Sequence, residues 1–137
     1  MRKHLWIMAA CLAAGNAFAA TPAEILQGHT AQAKQENAAF KEFSATRGEQ
    51  FYHAERTHSS GKKISCASCH TSNPKNPGKH EKTGKAIDPL APVANAQRFT
   101  DPAKVEKWFK RNCNDVLERA CTAQEKGDFM AYLISVK

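Results

Sequence analysis

Cys66-Ala67-Ser68-Cys69-His70 decides how the rest of this sequence is read. Two cysteines spaced by two residues and followed at once by histidine form the C-x-x-C-H pattern of covalent c-type haem attachment. The thiols add across the haem vinyl groups and the histidine supplies an axial ligand to iron. Cys66, Cys69 and His70 are therefore the expected cofactor-binding residues, with His70 on the metal. C-x-x-C alone also serves as a redox dithiol or as half of a zinc site. A zinc site needs two further ligands at close spacing, whereas Cys113 and Cys121 are separated by seven residues. What the motif leaves open is the second axial position, whose occupant separates an electron carrier from a gas binder or a catalyst.

Toward the N-terminus, Arg2, Lys3 and His4 precede a short apolar run over residues 5–14, and Ala17-Phe18-Ala19 is a small-x-small cleavage site. These features predict a signal peptide over residues 1–19 and a mature domain over residues 20–137. The apolar run is too short for a membrane anchor. Lipidation of Cys11 after Met8-Ala9-Ala10 is the alternative, but few apolar residues precede Cys11. Export places the domain in an oxidising compartment, expected to be the periplasm, where Cys113 and Cys121 are free to pair.

The whole chain carries 20 Lys and Arg against 13 Asp and Glu, a formal charge of +7. Without Arg2 and Lys3 the balance is 18 against 13, or +5, and two ionised haem propionates lower it to about +3. The lysines are scattered instead of lining one element, and an exported haem protein meets little nucleic acid. An acidic redox partner, steered by this field, is the better use of the charge, with solubility as the plainer one. Roughly 118 mature residues make one domain that encloses a haem.

Thr21-Pro22-Ala23-Glu24 predicts the start of a short helix, with a cap, a first-turn proline and a glutamate that returns to the cap. A longer helix is expected over residues 31–57, carrying Phe40, Phe43, Phe51 and Tyr52. Gly48 interrupts it and predicts close approach by another element. Residues 59–63 read as the turn into the haem motif. Residues 71–101 hold Pro74, Pro77, Pro89 and Pro92 and predict an extended loop ordered by packing on a cofactor.

Asp101-Pro102 opens another helix, on which Val105, Trp108, Phe109 and Asn112 share a face at i, i+3, i+4 and i+7. Asn112 interrupts an otherwise apolar stripe, and an unpaired buried amide costs about 1–3 kcal/mol. Either it finds a backbone partner near the helix end or something electron-poor, such as haem iron, sits against that face. Thr122-Ala123-Gln124-Glu125 is a capping box that starts a last helix, with Phe129, Met130, Leu133 and Ile134 on its apolar face. The segment around Gly48 is its expected partner.

This order of an early helix, C-x-x-C-H, a proline-bearing loop and a late amphipathic helix resembles class I cytochrome c, an all-α fold around one haem. In that plan the first and last helices cross near a glycine and an aromatic residue, matched here by Gly48 with Phe51 and by Tyr132. More narrowly, residues 84–92 (Gly-Lys-Ala-Ile-Asp-Pro-Leu-Ala-Pro), Arg98-Phe99-Thr100-Asp101-Pro102 and Glu106-Lys107-Trp108-Phe109-Lys110-Arg111-Asn112-Cys113 through Cys121-Thr122 resemble the sphaeroides haem protein family. That resemblance implies one covalent haem c whose sixth ligand is an asparagine that leaves on reduction and admits small gases. Asn112 stands at that ligand position, and Cys113 at the position that closes a disulfide with Cys121. It also implies a dihaem cytochrome c or a membrane cytochrome b as electron donor.

A neutral amide oxygen is a hard, weak donor that suits ferric iron better than ferrous, so release on reduction is chemically coherent. Met130 is the chief rival for the position, although its neighbours Phe129, Leu133 and Ile134 mark core packing. His29, His53, His58 and His80 are the remaining competitors. Three function classes follow: an electron-exchanging cytochrome that binds O2, NO or CO when ferrous, a closed-site electron carrier, and a small haem enzyme acting on oxygen, peroxide or nitric oxide. No acid or base outside the haem pocket stands out.

Overall fold

The computed structural model describes residues 19–137, so the predicted signal peptide falls almost entirely outside the described residues. Five helices and two short antiparallel ladders follow in the order α1 (Pro22–Glu36), α2 (Ala45–His53), β1 (Arg56–Thr57), β2 (Lys63–Ile64), α3 (Cys66–His70), β3 (Gly78–Lys79), β4 (Ala86–Ile87), α4 (Pro102–Leu117) and α5 (Ala123–Ser135). The all-α expectation holds, since the ladders are two residues long and serve only to close the loops on either side of α3.

Both capping boxes form as expected. Thr21 accepts from the amide of Glu24 while Glu24 reaches back to the amide of Thr21, and Thr122 and Glu125 do the same at α5. Asp101 caps α4 through the amide of Lys104 at 3.0 Å. The single helix expected over residues 31–57 is instead two. The first helix runs on from Thr21 to Glu36, and Ser44 caps a second one through the amide of Arg47. The break is fixed from a distance: Glu36 accepts from the amide of Ala123 at 2.7 Å, and Asp128 accepts from the amide of Ser44 at 2.7 Å and from Arg47 Nε at 2.8 Å. Phe40 uses the break to enter a small apolar cluster with Ala33 and Ala123. Such long-range bonds outweigh the local helical preference of the intervening residues.

Helices α1 and α2 both pack on α5, and the α2 crossing is the closer. A Cβ on Gly48 would stand 1.8 Å from the carbonyl oxygen of Asp128 and 2.9 Å from Cβ of Tyr132. The close approach expected at Gly48 is therefore real, and the helix concerned is the second and not the first. The aromatic residue that fills the crossing is also different. Tyr52 is fully buried, with its ring 5.5 Å from that of Tyr132, whereas Phe51 is half-buried under the guanidinium of Arg56 at 4.7 Å. Gly48→Ala is expected to force the two helices apart, because backbone cannot yield as a flexible side chain does. Overpacking of this kind costs about 1–3 kcal/mol, read as a lower urea midpoint in the haem-loaded protein.

Helix α4 also corrects one expectation. Its buried row is Val105, Phe109 and Cys113, at i, i+4 and i+8, while Trp108 is 40% exposed with the Arg111 guanidinium 5.6 Å above its ring. The apolar stripe thus lies one residue round the helix from the expected one, and Trp108 and Asn112 form its flank. His29 of α1 closes the far side of α4. It is buried edge-on to Phe109, with Nε2 3.5 Å from a carboxylate oxygen of Glu106, so it acts as a core histidine.

Candidate functional site

The haem motif is a single helical turn, and its spacing places Cys66, Cys69 and His70 at i, i+3 and i+4 on one face. The turn starts where the amide of Ser65 donates to Ser68 Oγ at 2.9 Å. At its other end the hydroxyl of Tyr52 donates to the carbonyl oxygens of Thr71 at 2.6 Å and His70 at 3.1 Å. Thr71 has φ +65°, a conformation that costs a non-glycine residue about 1–3 kcal/mol and persists only where its surroundings enforce it. Tyr52 is the enforcing group. Burial holds its hydroxyl protonated far above the ordinary tyrosine range, so it remains a donor.

Two further segments close on the motif. A Cβ at Gly78 would lie 2.1 Å from the carbonyl oxygen of Cys69 and 2.9 Å from Cα of His70, so only glycine fits there. The amides of Leu90 and Ala91 both donate to the carbonyl of Pro74, at 2.9 and 3.0 Å, which docks the second half of the proline-rich loop onto the residues just after His70. Tyr52, Gly78 and Pro74 were not singled out for these roles by the sequence. Tyr52 and Gly78 meet main-chain carbonyls of the haem turn, and Pro74 offers its own carbonyl to the amides of Leu90 and Ala91, contacts for which local sequence carries no signal.

The donor chemistry fits a covalently held haem. Cys66 and Cys69 are free thiols, and burial pushes the Cys66 thiol up to about 11 against the opposing pull of Arg56. His70 is pushed down to about 4, first by burial and then by the nearby charge of Arg98. It is therefore neutral at pH 7, the form in which an imidazole ligates metal. Its Nδ1 is buried without a hydrogen-bond partner among the described residues. Tyr52→Phe keeps the ring packing and deletes only the clamp on His70 and Thr71. The expected cost is about 1–3 kcal/mol for two carbonyls left short of a donor, measured by urea unfolding of the haem-loaded protein.

Asn112 lies on the flank of α4, half-buried, and its amide makes no side-chain hydrogen bond among the described residues. Of the two alternatives open from the sequence, the backbone partner is thus not found. The next residue, Cys113, is disulfide-bonded to Cys121, with both half-cystines buried and their Cα atoms 5.6 Å apart. One apolar cluster joins Phe109 and Cys113 of α4 to Cys66 and Ala67 of α3, so the Asn112 helix and the motif share a core. Met130 is fully buried in that same cluster. His53 is exposed, His58 is 3.3 Å from a Glu118 carboxylate oxygen, and His80 Nδ1 accepts from the amide of Thr83 at 3.2 Å. A separate cleft of about 480 Å³ lies between Ala45, Glu49, Asn73 and Tyr132 and touches none of the motif residues.

Helices packed around a C-x-x-C-H turn define a helical c-type cytochrome domain, and comparison with known proteins gives the same class. A family described as a domain of unknown function, DUF1924, matches residues 38–133. Cytochrome c'' of Methylophilus methylotrophus is 44% identical over 112 residues, 82% of this chain and 78% of the relative. The cytochrome c-type protein SHP of Cereibacter sphaeroides is 41% identical over 113 residues, 82% of each. The oxidised crystal structure of the Methylophilus cytochrome superposes with a TM-score of 0.79 at 42% identity, covering 85% of this chain and 94% of that one. Its solution structure, concerned with haem-ligand detachment, gives 0.74 at 43% identity, covering 83% and 92%. Oxidised SHP, described as an oxygen-binding cytochrome c, gives 0.73 at 38% identity, covering 84% and 96%. The chain belongs to the sphaeroides haem protein family, with the DUF1924 domain and one covalently bound haem c as its cofactor.

Proposed function

We propose that this chain, as a mature domain over residues 20–137, is a periplasmic monohaem cytochrome that exchanges electrons with a cytochrome partner and binds a diatomic gas in its ferrous state. Cys66 and Cys69 hold the haem, His70 is the fixed axial ligand, and Asn112 is a ferric-state ligand that withdraws on reduction. The haem supplies a one-electron iron couple and, when Asn112 has left, an axial position open to O2, NO or CO.

The observation that carries this reading is the half-buried Asn112 amide with no side-chain hydrogen bond, set on the α4 flank beside a disulfide. The printed descriptions of the relatives, haem-ligand detachment for one and oxygen binding for the other, support it. Met130 is fully enclosed by the core, which argues against the closed-site alternative. A dihaem cytochrome c or a membrane cytochrome b suits the role of electron donor. No helix among the described residues is long and apolar enough to cross a membrane.

The test is one absorption series on the mature protein: ferric, ferrous, and ferrous with carbon monoxide. A weakly ligated ferric spectrum with a rapid carbon monoxide change on the ferrous protein is expected. A ferrous spectrum that carbon monoxide leaves unchanged would make it a closed-site electron carrier. Mass spectrometry should find one haem attached to the chain.

A further inference from the structure

Helix α4 ends at Glu118, whose amide donates to the carbonyl of Asn114 at 3.0 Å and whose φ is +56°. A left-handed residue at that point is most often glycine, because a side chain there strains the backbone. This chain has a glutamate instead, and its carboxylate is engaged across the molecule. One oxygen accepts from the amide of Ser59 at 2.9 Å and the other from the Ser59 hydroxyl. His58 adds a third contact. Its Nδ1 accepts from the amide of Ser60 at 3.2 Å, which leaves the proton of the neutral ring on Nε2, 3.3 Å from the same carboxylate. The Ser59 hydroxyl, and after it the Ser59 amide, holds the Glu118 carboxyl below the ordinary carboxylate range, so it is an ionised acceptor at neutral pH.

Ser59 sits in the turn of the β1–β2 hairpin, which is closed by bonds from the amide of His58 to the carbonyl of Lys62 and from that of Gly61 to the carbonyl of His58, each at 2.8 Å. Strand β2 runs straight into Ser65, the cap of the haem turn, so the partner of Glu118 is continuous with Cys66 through a short segment. On the other side Arg119 grips both carboxylate oxygens of Glu125 at 2.7 and 2.8 Å, in the first turn of α5. The end of α4 is thereby held between the hairpin and the last helix. Asn112 lies on that same stretch of α4, less than two turns before Glu118.

We propose that Glu118 is a positioning residue that ties the Asn112 end of α4 to the haem-turn hairpin through Ser59, and so sets how firmly the amide holds ferric iron. The inference rests on Asn112 being the ferric ligand. The haem is carried by the turn at Cys66–His70 and the amide by α4, so a weak ligand stays in reach only while these two segments keep their separation. The clasp fixes one against the other directly, whereas the disulfide joins α4 to the start of α5. Exposed contacts are individually weak, which sets the expected effect at about threefold in occupancy of the iron by the amide.

The experiment measures azide affinity of the ferric, haem-loaded protein together with its urea midpoint. The variants are Glu118→Gly, Glu118→Gln and Ser59→Ala, with Glu118→Gly repeated on an Asn112→Ala background. Glycine removes the carboxylate and relieves the backbone, so the urea midpoint should stay near the parental one while azide affinity rises about threefold. Ser59→Ala, a change on the other segment, should act in the same direction. Glutamine keeps one acceptor oxygen and should fall between glycine and the parent. On the Asn112→Ala background Glu118→Gly should change nothing, because no amide is left to loosen. Parental azide affinity in both Glu118→Gly and Ser59→Ala overturns the proposal. So does an equal rise on the Asn112→Ala background, which would mean that the clasp shapes the pocket at large, and so does a rise seen only with a much lower urea midpoint. Failure of the Asn112 assignment is read separately, from a parental ferric spectrum in Asn112→Ala alone, whereas the Glu118 proposal fails with that spectrum shifted and the clasp variants parental.

Discussion

Asn112→Ala should change the ferric protein greatly and the ferrous protein little. An added anion such as azide must displace the amide from ferric iron in the parent, and in the alanine variant it has nothing to displace. If the amide occupies iron in about 99% of ferric molecules, its removal tightens apparent anion affinity about 100-fold, and at about 90% occupancy about tenfold. The ferric absorption spectrum should shift toward that of a water-ligated or open site. On the proposed reading the ferrous iron carries no amide to displace, so carbon monoxide should combine at close to the parental rate. This asymmetry separates a redox-linked ligand from a residue that merely lines the pocket, whose loss would alter gas entry in either state. Haem attachment should survive, because Cys66, Cys69 and His70 sit on their own clamped turn. A parental ferric spectrum in the variant, or loss of the sixth ligand on replacing Met130 alone, would remove Asn112 from the role.

What local sequence makes legible here is chemistry that sits in consecutive residues. The haem turn is one such case, and the caps at Thr21, Asp101 and Thr122 are others, because each motif bonds to its own first turn. Gly48 was legible for a different reason: a glycine inside a helical pattern has a local cost, and the cost implies a compensating contact. The break over residues 37–44 was not, since Glu36 and Asp128 fix it by bonds that span more than 80 positions. Phe40 and Phe43 look like members of a longer apolar face until those bonds are known. Trp108 shows the limit of periodicity, which assigns a face only to within one residue of rotation about the helix. At the site, Cys66, Cys69 and His70 came from a motif, and Asn112 largely from resemblance. Tyr52 acts on the main-chain carbonyls of His70 and Thr71 from another helix, so no residue pattern announces it.

Replacing both Cys113 and Cys121 by alanine should cost stability and loosen Asn112 together. The bridge closes a short loop, with a sequence separation of 8, between the last turns of α4 and the cap of α5. Loop-closure entropy alone gives about 2.6 kcal/mol, and native bridges in small exported domains are worth about 2–5 kcal/mol. At an m-value of about 1–3 kcal/mol/M this is a fall of about 1 M or more in the urea midpoint. Alkylation of the unreduced parent should label neither cysteine. The functional part follows from position: Asn112 precedes Cys113 directly, and the bridge ties that stretch of α4 to Thr122 and the rigid start of α5. Without it the end of α4 frays more easily, and the amide competes less well for ferric iron. Azide affinity of the ferric double variant should therefore rise severalfold in the same preparation that shows the lower urea midpoint, below the full effect of Asn112→Ala because the amide is still present. Lower stability with parental azide affinity would make the bridge a staple for the domain, with no part in returning the amide to iron.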